Sequence, residues 1–522
     1  MLRFDVRACR WLQDGPSPAN GGRQLVLDFD IVIVGGGAAG CAVARRLADA
    51  GEHSVLLLEA GTDLGGQVPP ALRDGWNNPS GSDWTHDWGF ESEPDGAGAT
   101  SKLRRGRLLG GTSWLTRFGV RGVAADFDAW AARGNPGWRY EDVLPSFRRL
   151  ETDAEFGDRP WHGDRGPLNI NRYPELERSP IHAAALEALS ALGFPSVEDH
   201  NAPDAVGAGP MPMSTKEGRR ITSLDAYLPP DARPANLKIR TGSPVATVVI
   251  GGRRATGVRL VDGTEVGARW VVLSAGTYGS PSLLLRSGVG PAGHLRELGI
   301  DVLVDLPGVG ENLADHPGTE LDTGWRGDPP AGAPVLHTIA TFRSSTQPRD
   351  RPPDLMFWVT DPTPGQPAFY LDPILLKPTS RGSVRLRSSD PEDKPRVTLP
   401  GLRESHDVER LAEAYLLGLE LAIYPAVRTL ANEPAPAPPG SHKELRAQVI
   451  AGSYSNPHVV GTCRMGPSPA NGDVVDALGR VHGIEQLSVI DASVIPDAPS
   501  GFPHVITLMV AEHLSEKLAR LL

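Results

Sequence analysis

The sequence predicts an α/β protein with two domains, and three observations carry that prediction. The chain has 522 residues, more than a single hydrophobic core usually organises. Residues 27–59 show a buried strand, a glycine-rich turn, a helix and a second buried strand, which is typical of a parallel βαβ unit. The segments GPLNI, DLMFWV and GSVRLRS are short strands that predict a second, antiparallel sheet, backed by helices such as VERLAEAYLLGLELAI.

Composition excludes several classes of protein. The net charge of -11 argues against a nucleic-acid surface and against a patch for anionic membranes. Cys9, Cys41 and Cys463 are too few for a disulfide framework and lack the spacing of a structural zinc site, so we expect no metal and a cytoplasmic location. The sequence contains no uninterrupted run of about 18 apolar residues, so it predicts no membrane span. Residues 1–26 lack the features of a signal peptide and are expected to form an N-terminal extension.

The first βαβ unit carries a dinucleotide-binding pattern of the Rossmann type. Gly35, Gly37 and Gly40 form G-x-G-x-x-G between the strand and the helix. Gly35 allows the tight turn, Gly37 lets the backbone approach a pyrophosphate, and Gly40 lets helix and strand pack closely. Glu59 ends the second strand and can accept hydrogen bonds from a ribose, which disfavours a 2′-phosphate. This pattern does not choose between NAD and FAD.

Several separated blocks resemble the glucose–methanol–choline (GMC) oxidoreductase family. The resemblance extends from about residue 28 to residue 522, and it is carried by residues 106–138, 276–290, 306–317, 378–391, 455–466 and 489–514. It implies a Rossmann-like FAD-binding domain built from residues 27–150, 215–317 and 455–522. It also implies an α+β substrate domain, with an antiparallel sheet, built from residues 151–214 and 318–454.

The resemblance implies FAD as the cofactor. Family members with covalent FAD have a histidine in the loop around Leu115, and this chain has none there, so the implied FAD is non-covalent. Thr116 stands where the family usually carries an asparagine. The implied cofactor-binding residues are Gly35, Gly37, Ala38, Ala39, Gly40, Glu59, Ala60, Arg107, Gly110, Gly111, Thr112, Ser113, Val245, Ala275, Asp491 and Val505.

Two C-terminal histidines are the candidate catalytic residues. Oxidation of an alcohol needs a hydride acceptor, which flavin N5 provides, and a base for the hydroxyl proton, for which histidine is well suited. The resemblance assigns the base to His458 and the positioning of the hydroxyl to His504. Pro503 and the apolar spacing after it predict a helix over residues 505–522, whose positive end would face the flavin. His316 is expected to be a structural turn residue.

The predicted function is therefore FAD-dependent oxidation of a small-molecule alcohol to a carbonyl, with O2 or a quinone or other carrier as electron acceptor. A non-redox family member, similar to a hydroxynitrile lyase or a photodecarboxylase, is the alternative. A nicotinamide dehydrogenase or a nucleotide-binding regulatory module would explain only the N-terminal pattern. The sequence does not identify the substrate. The aromatic residues Trp358, Phe369 and Tyr370 either contact the substrate or belong to the core. The pair Arg219 and Arg220 either binds an anionic group or lies at the surface.

Overall fold

A computed structural model of the chain describes residues 28–51, 53–76, 84–96, 98–174, 178–329, 334–363 and 368–522. The predicted extension over residues 1–26 lies outside these ranges, as does Cys9.

The strands of the described residues are β1 Phe29–Val34, β2 Val55–Leu58, β3 Phe90–Glu91, β4 Lys102–Leu103, β5 Glu151–Asp153, β6 Leu168–Ile170, β7 Gly207–Pro210, β8 Thr215–Lys216, β9 Arg219–Arg220, β10 Leu237–Arg240, β11 Val245–Gly251, β12 Arg254–Leu260, β13 Glu265–Leu273, β14 Val289–Gly290, β15 Val304–Asp305, β16 Pro317–Thr319, β17 Asp322–Gly324, β18 Thr338–Phe342, β19 Leu355–Thr360, β20 Ala368–Leu375, β21 Ser383–Arg385, β22 Arg396–Thr398, β23 Ser453–Ser455 and β24 Leu487–Val489. The α-helices are α1 Ala38–Asp49, α2 Pro70–Arg73, α3 Ala124–Ala132, α4 Tyr140–Leu150, α5 Pro180–Ala191, α6 Ser223–Tyr227, α7 Gly276–Arg286, α8 Ala292–Glu297, α9 Ser405–Ile423, α10 Pro425–Arg428, α11 His442–Ala451 and α12 Pro503–Ala519.

The first large sheet is mixed, with the order β10-β2-β1-β13-β12-β11 and with β24 also on β13. Strands β10, β2, β1, β13 and β24 run parallel, and β12 pairs antiparallel with both β13 and β11. The apolar, β-branched runs of β1 and β2 are buried because helices cover the parallel part of the sheet. The parallel strands therefore end together, with Val34 beside both Leu58 and Leu273.

The second large sheet is antiparallel, with the order β23-β16-β20-β19-β18-β7 and with β17 also on β20. Its strands alternate between two faces. Leu355, Phe357 and Val359 of β19 pack into one apolar cluster with helices α5 and α9, whereas Met356 packs into another cluster with Phe502. The second face is therefore turned toward the start of α12.

Helix α12 begins at Pro503, as predicted, and is held by a buried carboxylate. Glu512 is fully buried and binds the guanidinium groups of Arg46 at 2.8 Å and Arg149 at 2.8 Å. The hydroxyl of Tyr227 donates to the same carboxylate at 2.8 Å. These contacts join α12 to α1, α4 and α6, so the N-terminus of α12 is fixed relative to the first sheet.

The helices of the described ranges are all too short or too polar to cross a membrane. Cys41 and Cys463 are buried, free thiols. The mixed sheet and the antiparallel sheet agree with an α/β fold class. Of the three strands predicted for the antiparallel sheet, only DLMFWV (β19) lies in it; the prediction is wrong for GPLNI (β6), which pairs with β5, and for GSVRLRS (β21), which pairs with β22, each in a two-stranded sheet. The division into two discontinuous domains and the cytoplasmic location stay predictions.

Candidate active site

A cavity of about 410 Å³ opens where the parallel strands of the first sheet end. The wall includes the ends of β1 and β2, the turn after β13, the first turn of α12 and the loop before it. Most of the predicted cofactor residues and both predicted catalytic histidines line this cavity: Gly35, Gly37, Ala38, Ala39, Glu59, Ala60, Arg107, Gly111, Thr112, Ser113, Val245, Ala275, Asp491, His458 and His504. Thr116 lines it as well.

Gly40, Gly110 and Val505 lie outside this lining, and each has another physical role. A Cβ on Gly40 would come within 1.8 Å of the Gly35 carbonyl oxygen, so this glycine lets α1 pack on the turn. Gly110 has φ +94, and a Cβ there would lie 2.7 Å from the indole nitrogen of Trp114. Val505 is fully buried in the core under α12.

The nucleotide end of the cavity fits a pyrophosphate and a ribose. Gly37 is the N-cap of α1, and a Cβ on it would meet no atom within 4 Å, so the helix N-terminus is open to an anion. The carboxylate of Glu59 accepts hydrogen bonds from the backbone N–H of Gly36 at 2.8 Å and of Gly61 at 2.7 Å. Burial raises the pKa of Glu59 to about 7, and its remaining lone pairs are available to ribose hydroxyls.

Asp491 lines the cavity, and its side chain holds two segments of the cavity wall together. One carboxylate oxygen accepts from the Gly276 backbone N–H at 2.8 Å and from the Ser280 hydroxyl at 2.5 Å. The other accepts from the backbone N–H of Ser493 at 2.8 Å. Asp491 therefore joins the start of α7 to the segment after β24, and burial raises its pKa.

His458 and His316 form a buried pair of imidazoles. Their Nδ1 atoms are 3.2 Å apart, and their rings cross at 76°. Asp315 accepts a hydrogen bond from the backbone N–H of His458 at 2.7 Å, which holds the two loops together. Burial first, and then the neighbouring His316 and Arg105, lower the pKa of His458 well below its usual value. Burial lowers the pKa of His316 to about 3.

The partners of His316 determine the tautomer of His458. His316 Nε2 lies 2.9 Å from the carbonyl oxygen of Pro499, which can only accept, so Nε2 carries the proton. Since His316 is neutral at neutral pH, its Nδ1 is an acceptor. His458 must then donate from Nδ1 to this atom, which leaves the lone pair of His458 on Nε2. A neutral imidazole in this tautomer can accept a proton.

His504 is the second residue of α12. Its Nε2 is buried and has no hydrogen-bond partner among the described residues. Burial first, and then the charge of Arg220, lowers the pKa of His504 to about 4, so the ring is neutral at neutral pH. A buried polar atom without a partner costs about 1–3 kcal/mol, a cost that a ligand in the cavity removes by hydrogen bonding to it.

Two stretches of the chain, residues 29–318 and 378–511, match the family described as GMC oxidoreductase. The chain belongs to this family. The resemblance predicted from the sequence is confirmed.

Relatives of this GMC oxidoreductase match it over almost its whole length. It is 35% identical to the 5-(hydroxymethyl)furfural oxidase of a Methylovorus strain, over 94% of this chain and 98% of that protein. The crystal structure of pyridoxine 4-oxidase from Mesorbium loti is 32% identical, with a TM-score of 0.87 over 94% of this chain and 98% of that one. A formate oxidase of Aspergillus oryzae, studied for modification of its FAD, is 25% identical, with a TM-score of 0.85 over 94% of this chain and 97% of that one. The chain is an FAD-dependent oxidoreductase that acts on alcohols, and its FAD is non-covalent.

Next to His458 lies a cluster of three aromatic rings, called the aromatic wall below, of which Phe502 also lines the cavity. The wall is formed by Phe118, Trp358 and Phe502. Neighbouring ring centroids lie 5.2–5.6 Å apart, and the centroids of Trp358 and Phe502 lie 6.1 Å and 5.0 Å from that of His458. Phe369, by contrast, is fully buried in the cluster on the other face of the sheet.

Sequence reasoning missed two residues that act on His458. His316 was interpreted as a turn residue, because nothing in the pattern ADHP shows what its ring contacts. Arg105 donates to the Pro457 carbonyl oxygen at 3.0 Å, and its guanidinium lies 4.9 Å above the ring of Tyr278. The sequence allowed Arg220 to be either an anion-binding residue or a surface residue. In the structure it is fully buried and donates to the carbonyl oxygens of Leu72 and Asp74.

Proposed function

We propose that this GMC oxidoreductase oxidises an alcohol to a carbonyl compound with His458 as the general base. The observation that carries the proposal is the hydrogen-bond chain from the Pro499 carbonyl through His316 to His458, which leaves the lone pair on His458 Nε2. A histidine must be in its neutral form to accept a proton as a general base. The lowered pKa of His458 meets that condition.

FAD, when bound, supplies the acceptor for the hydride of the carbinol carbon. His458 Nε2 accepts the hydroxyl proton as the carbonyl forms. His504 holds the same oxygen through its unpartnered Nε2. The first turn of α12 adds the positive end of the helix dipole, so negative charge that develops in this region is stabilised. The predicted positioning role of His504 thus has a physical basis, and it stays a proposal together with the roles of the cofactor-binding residues.

The proposed substrate is a flat, aromatic primary alcohol. The aromatic wall places the ring centroids of Trp358 and Phe502 6.1 Å and 5.0 Å from that of His458, and aromatic faces favour stacked or edge contacts with another ring. The relatives named above act on a furan and on a pyridine alcohol, according to their names. That agreement supports the class of substrate without choosing one compound.

An anaerobic titration tests this proposal. The purified, FAD-loaded protein is mixed with benzyl, furfuryl and aliphatic alcohols while the flavin absorbance is followed. We expect the aromatic alcohols to bleach the flavin and His458→Ala to slow that bleaching, while His442→Ala, a change at an exposed histidine, leaves it unaltered. Bound flavin that no alcohol bleaches would instead favour the lyase or photodecarboxylase alternative. Readmitting air then shows whether O2 accepts the electrons.

A further inference from the structure

The substrate-facing side of the antiparallel sheet carries a carboxylate that the proposed chemistry does not use. Asp372 of β20 lies directly opposite Trp358 of β19. Residues opposite each other in an antiparallel pair point to the same face, with Cβ atoms about 5 Å apart. The preceding pair in this register, Met356 and Ile374, packs in the apolar cluster that contains Phe502. Asp372 therefore extends the aromatic wall at the end that is remote from His458.

Tyr454 fixes the orientation of Asp372. The Tyr454 hydroxyl donates to one carboxylate oxygen at 2.9 Å, and the Leu321 backbone N–H donates to the other at 2.9 Å. Gly318 makes room for the tyrosine ring, since a Cβ on it would lie 2.7 Å from the ring carbon that bears the hydroxyl. Each carboxylate oxygen keeps a free lone pair, because each accepts from one protein donor.

The surroundings of this carboxylate are acidic and aromatic. Burial is the main cause that raises the pKa of Asp372 to about 7, and the charges of Glu320 and Asp322 add to it. The same three acids, together with burial, raise the pKa of Tyr370. A largely buried carboxylate beside an indole ring suits a hydroxyl or a protonated nitrogen, since each donates to the oxygen while the rest of the ligand lies on the ring.

We propose that Asp372, oriented by Tyr454, accepts a hydrogen bond from a hydroxyl or protonated nitrogen on the substrate, at the end of its ring remote from the carbinol. The inference rests on the proposed function, and it makes Asp372 a residue that determines specificity. The Trp358 ring centroid lies 6.1 Å from that of His458. Asp372 is level with Trp358 and lies two residues along β20 from Ile374, which pairs with Gly318. It therefore stands about four residues, roughly 13 Å, along the strands from the level of His316, the partner of His458. One aromatic ring with a short substituent, hydrogen-bonded at both ends, spans that separation.

The test compares three para-substituted benzyl alcohols that differ only in the remote group: hydroxymethyl, aminomethyl and methyl. The FAD-loaded protein is expected to show a kcat/KM at least about tenfold higher for the two donor substrates, mainly through KM, because a hydrogen bond to a charged group is strong. Asp372→Asn keeps an acceptor for Leu321 and removes the charge, so it should abolish the preference for the amine and weaken that for the hydroxymethyl compound. Asp372→Leu should abolish both preferences.

The methyl compound and a second variant provide the controls. The kcat/KM of each donor substrate is divided by that of 4-methylbenzyl alcohol within the same variant, and His442→Ala, the change at an exposed histidine, should leave all three values unchanged. Equal kcat/KM values for the three compounds, or a preference that survives Asp372→Leu, would overturn this inference while leaving the proposed alcohol oxidation intact. Failure of every alcohol to bleach the flavin would overturn both.

Discussion

Two buried histidines of this chain have opposite protonation. His162 lies among carboxylates, with Nδ1 2.7 Å from Glu151 and Nε2 2.9 Å from Asp199, and these hydrogen bonds raise its pKa although burial lowers it. His458 lies beside another imidazole and near Arg105, and its pKa is lowered. The carboxylates around the first histidine favour its protonated form, whereas burial and the nearby Arg105 favour the neutral form of the second.

The His162 cluster also shows why a suitable set of ligands does not make a metal site. Ligand atoms of Glu151, Asp153 and His162 lie within 4.8 Å of one another. Arg172 nevertheless occupies both carboxylate oxygens of Asp153 at 2.9 Å and binds Asp199 at 2.6 Å. Its guanidinium supplies the positive charge that a cation would bring. Each charged side chain of this cluster therefore lies beside one of opposite charge, whereas His504 of the active site has, among the described residues, no such neighbour for its unpartnered Nε2.

Removing the base at the active site should have the largest effect. His458→Ala is expected to slow anaerobic flavin reduction by an aromatic alcohol about a thousandfold, because general base catalysis contributes roughly 10²–10⁴-fold. Stopped-flow absorbance measures this rate. The variant should keep its flavin and its unfolding midpoint, since His458 is not part of an ion pair among the described residues. A loss below about tenfold would exclude His458 as the base.

Breaking the His162 cluster should damage stability without touching the chemistry. Arg172→Met leaves Asp153 and Asp199 buried with one cation fewer, and losing one partner of a buried ion pair costs about 3–5 kcal/mol. Urea unfolding followed by tryptophan fluorescence measures the change. Arg165→Met is the matched control, because Arg165 is 91% exposed and its partner Asp164 is 3.7 Å away. Equal unfolding midpoints in the two variants would show that the cluster does not stabilise the fold.

Replacing His316 tests the tautomer argument, with a smaller effect on rate. His316→Ala removes the acceptor for His458 Nδ1 and should slow flavin reduction about 10–100-fold, as loss of an orienting partner does at other histidine sites. His316→Asn places an amide oxygen near the former Nδ1 and should restore much of the rate. The acid limb of the pH profile should also move in the alanine variant, because the charge state of His458 depends on this neighbour. Equal rates in both variants and the parent would refute the tautomer argument.

The sequence predicts well those features that are set by residues close to each other in the chain, and it predicts poorly the contacts between residues that are far apart in the chain. The G-x-G-x-x-G turn, Glu59 and the start of α12 at Pro503 were predicted because period, turn and cap signals lie within a few residues of each other. The pairing of His316 with His458 was not predicted, since 142 residues separate them and only the fold brings their rings together. Val505 is buried in the first turn of α12 and does not line the cavity, which a helix pattern alone does not show, and its predicted contact with the cofactor stays a prediction.

The same limit applies to the substrate side. Trp358 and Phe369 looked alike in sequence as possible substrate contacts. The register of β19 and β20 places them on opposite faces, with Trp358 beside His458 and Phe369 in the buried cluster. If the pairing of the two strands shifted by one residue, each side chain would move to the opposite face of the sheet. The alternation in the sequence therefore predicts two sets of side chains, but it does not show which set faces the active site.

The smallest expected effect is an opposite pH dependence of stability at the two histidine sites. The folded pKa of His162 is raised, so its contribution to stability is complete below its unfolded pKa of about 6.5 and is lost as the pH rises through the folded value. The folded pKa of His316 is lowered to about 3, so folding keeps it neutral, and stability falls as the pH drops below about 6.5. The difference in unfolding free energy between the parent and His316→Asn should therefore shift by about 1 kcal/mol per pH unit between pH 6 and pH 4, in favour of the variant. For His162→Gln the difference from the parent should shrink as the pH rises above about 6.5 and through the raised folded pKa. Urea unfolding at a series of pH values measures both trends, and parallel trends for the two variants would contradict the assignment of one cationic and one neutral histidine.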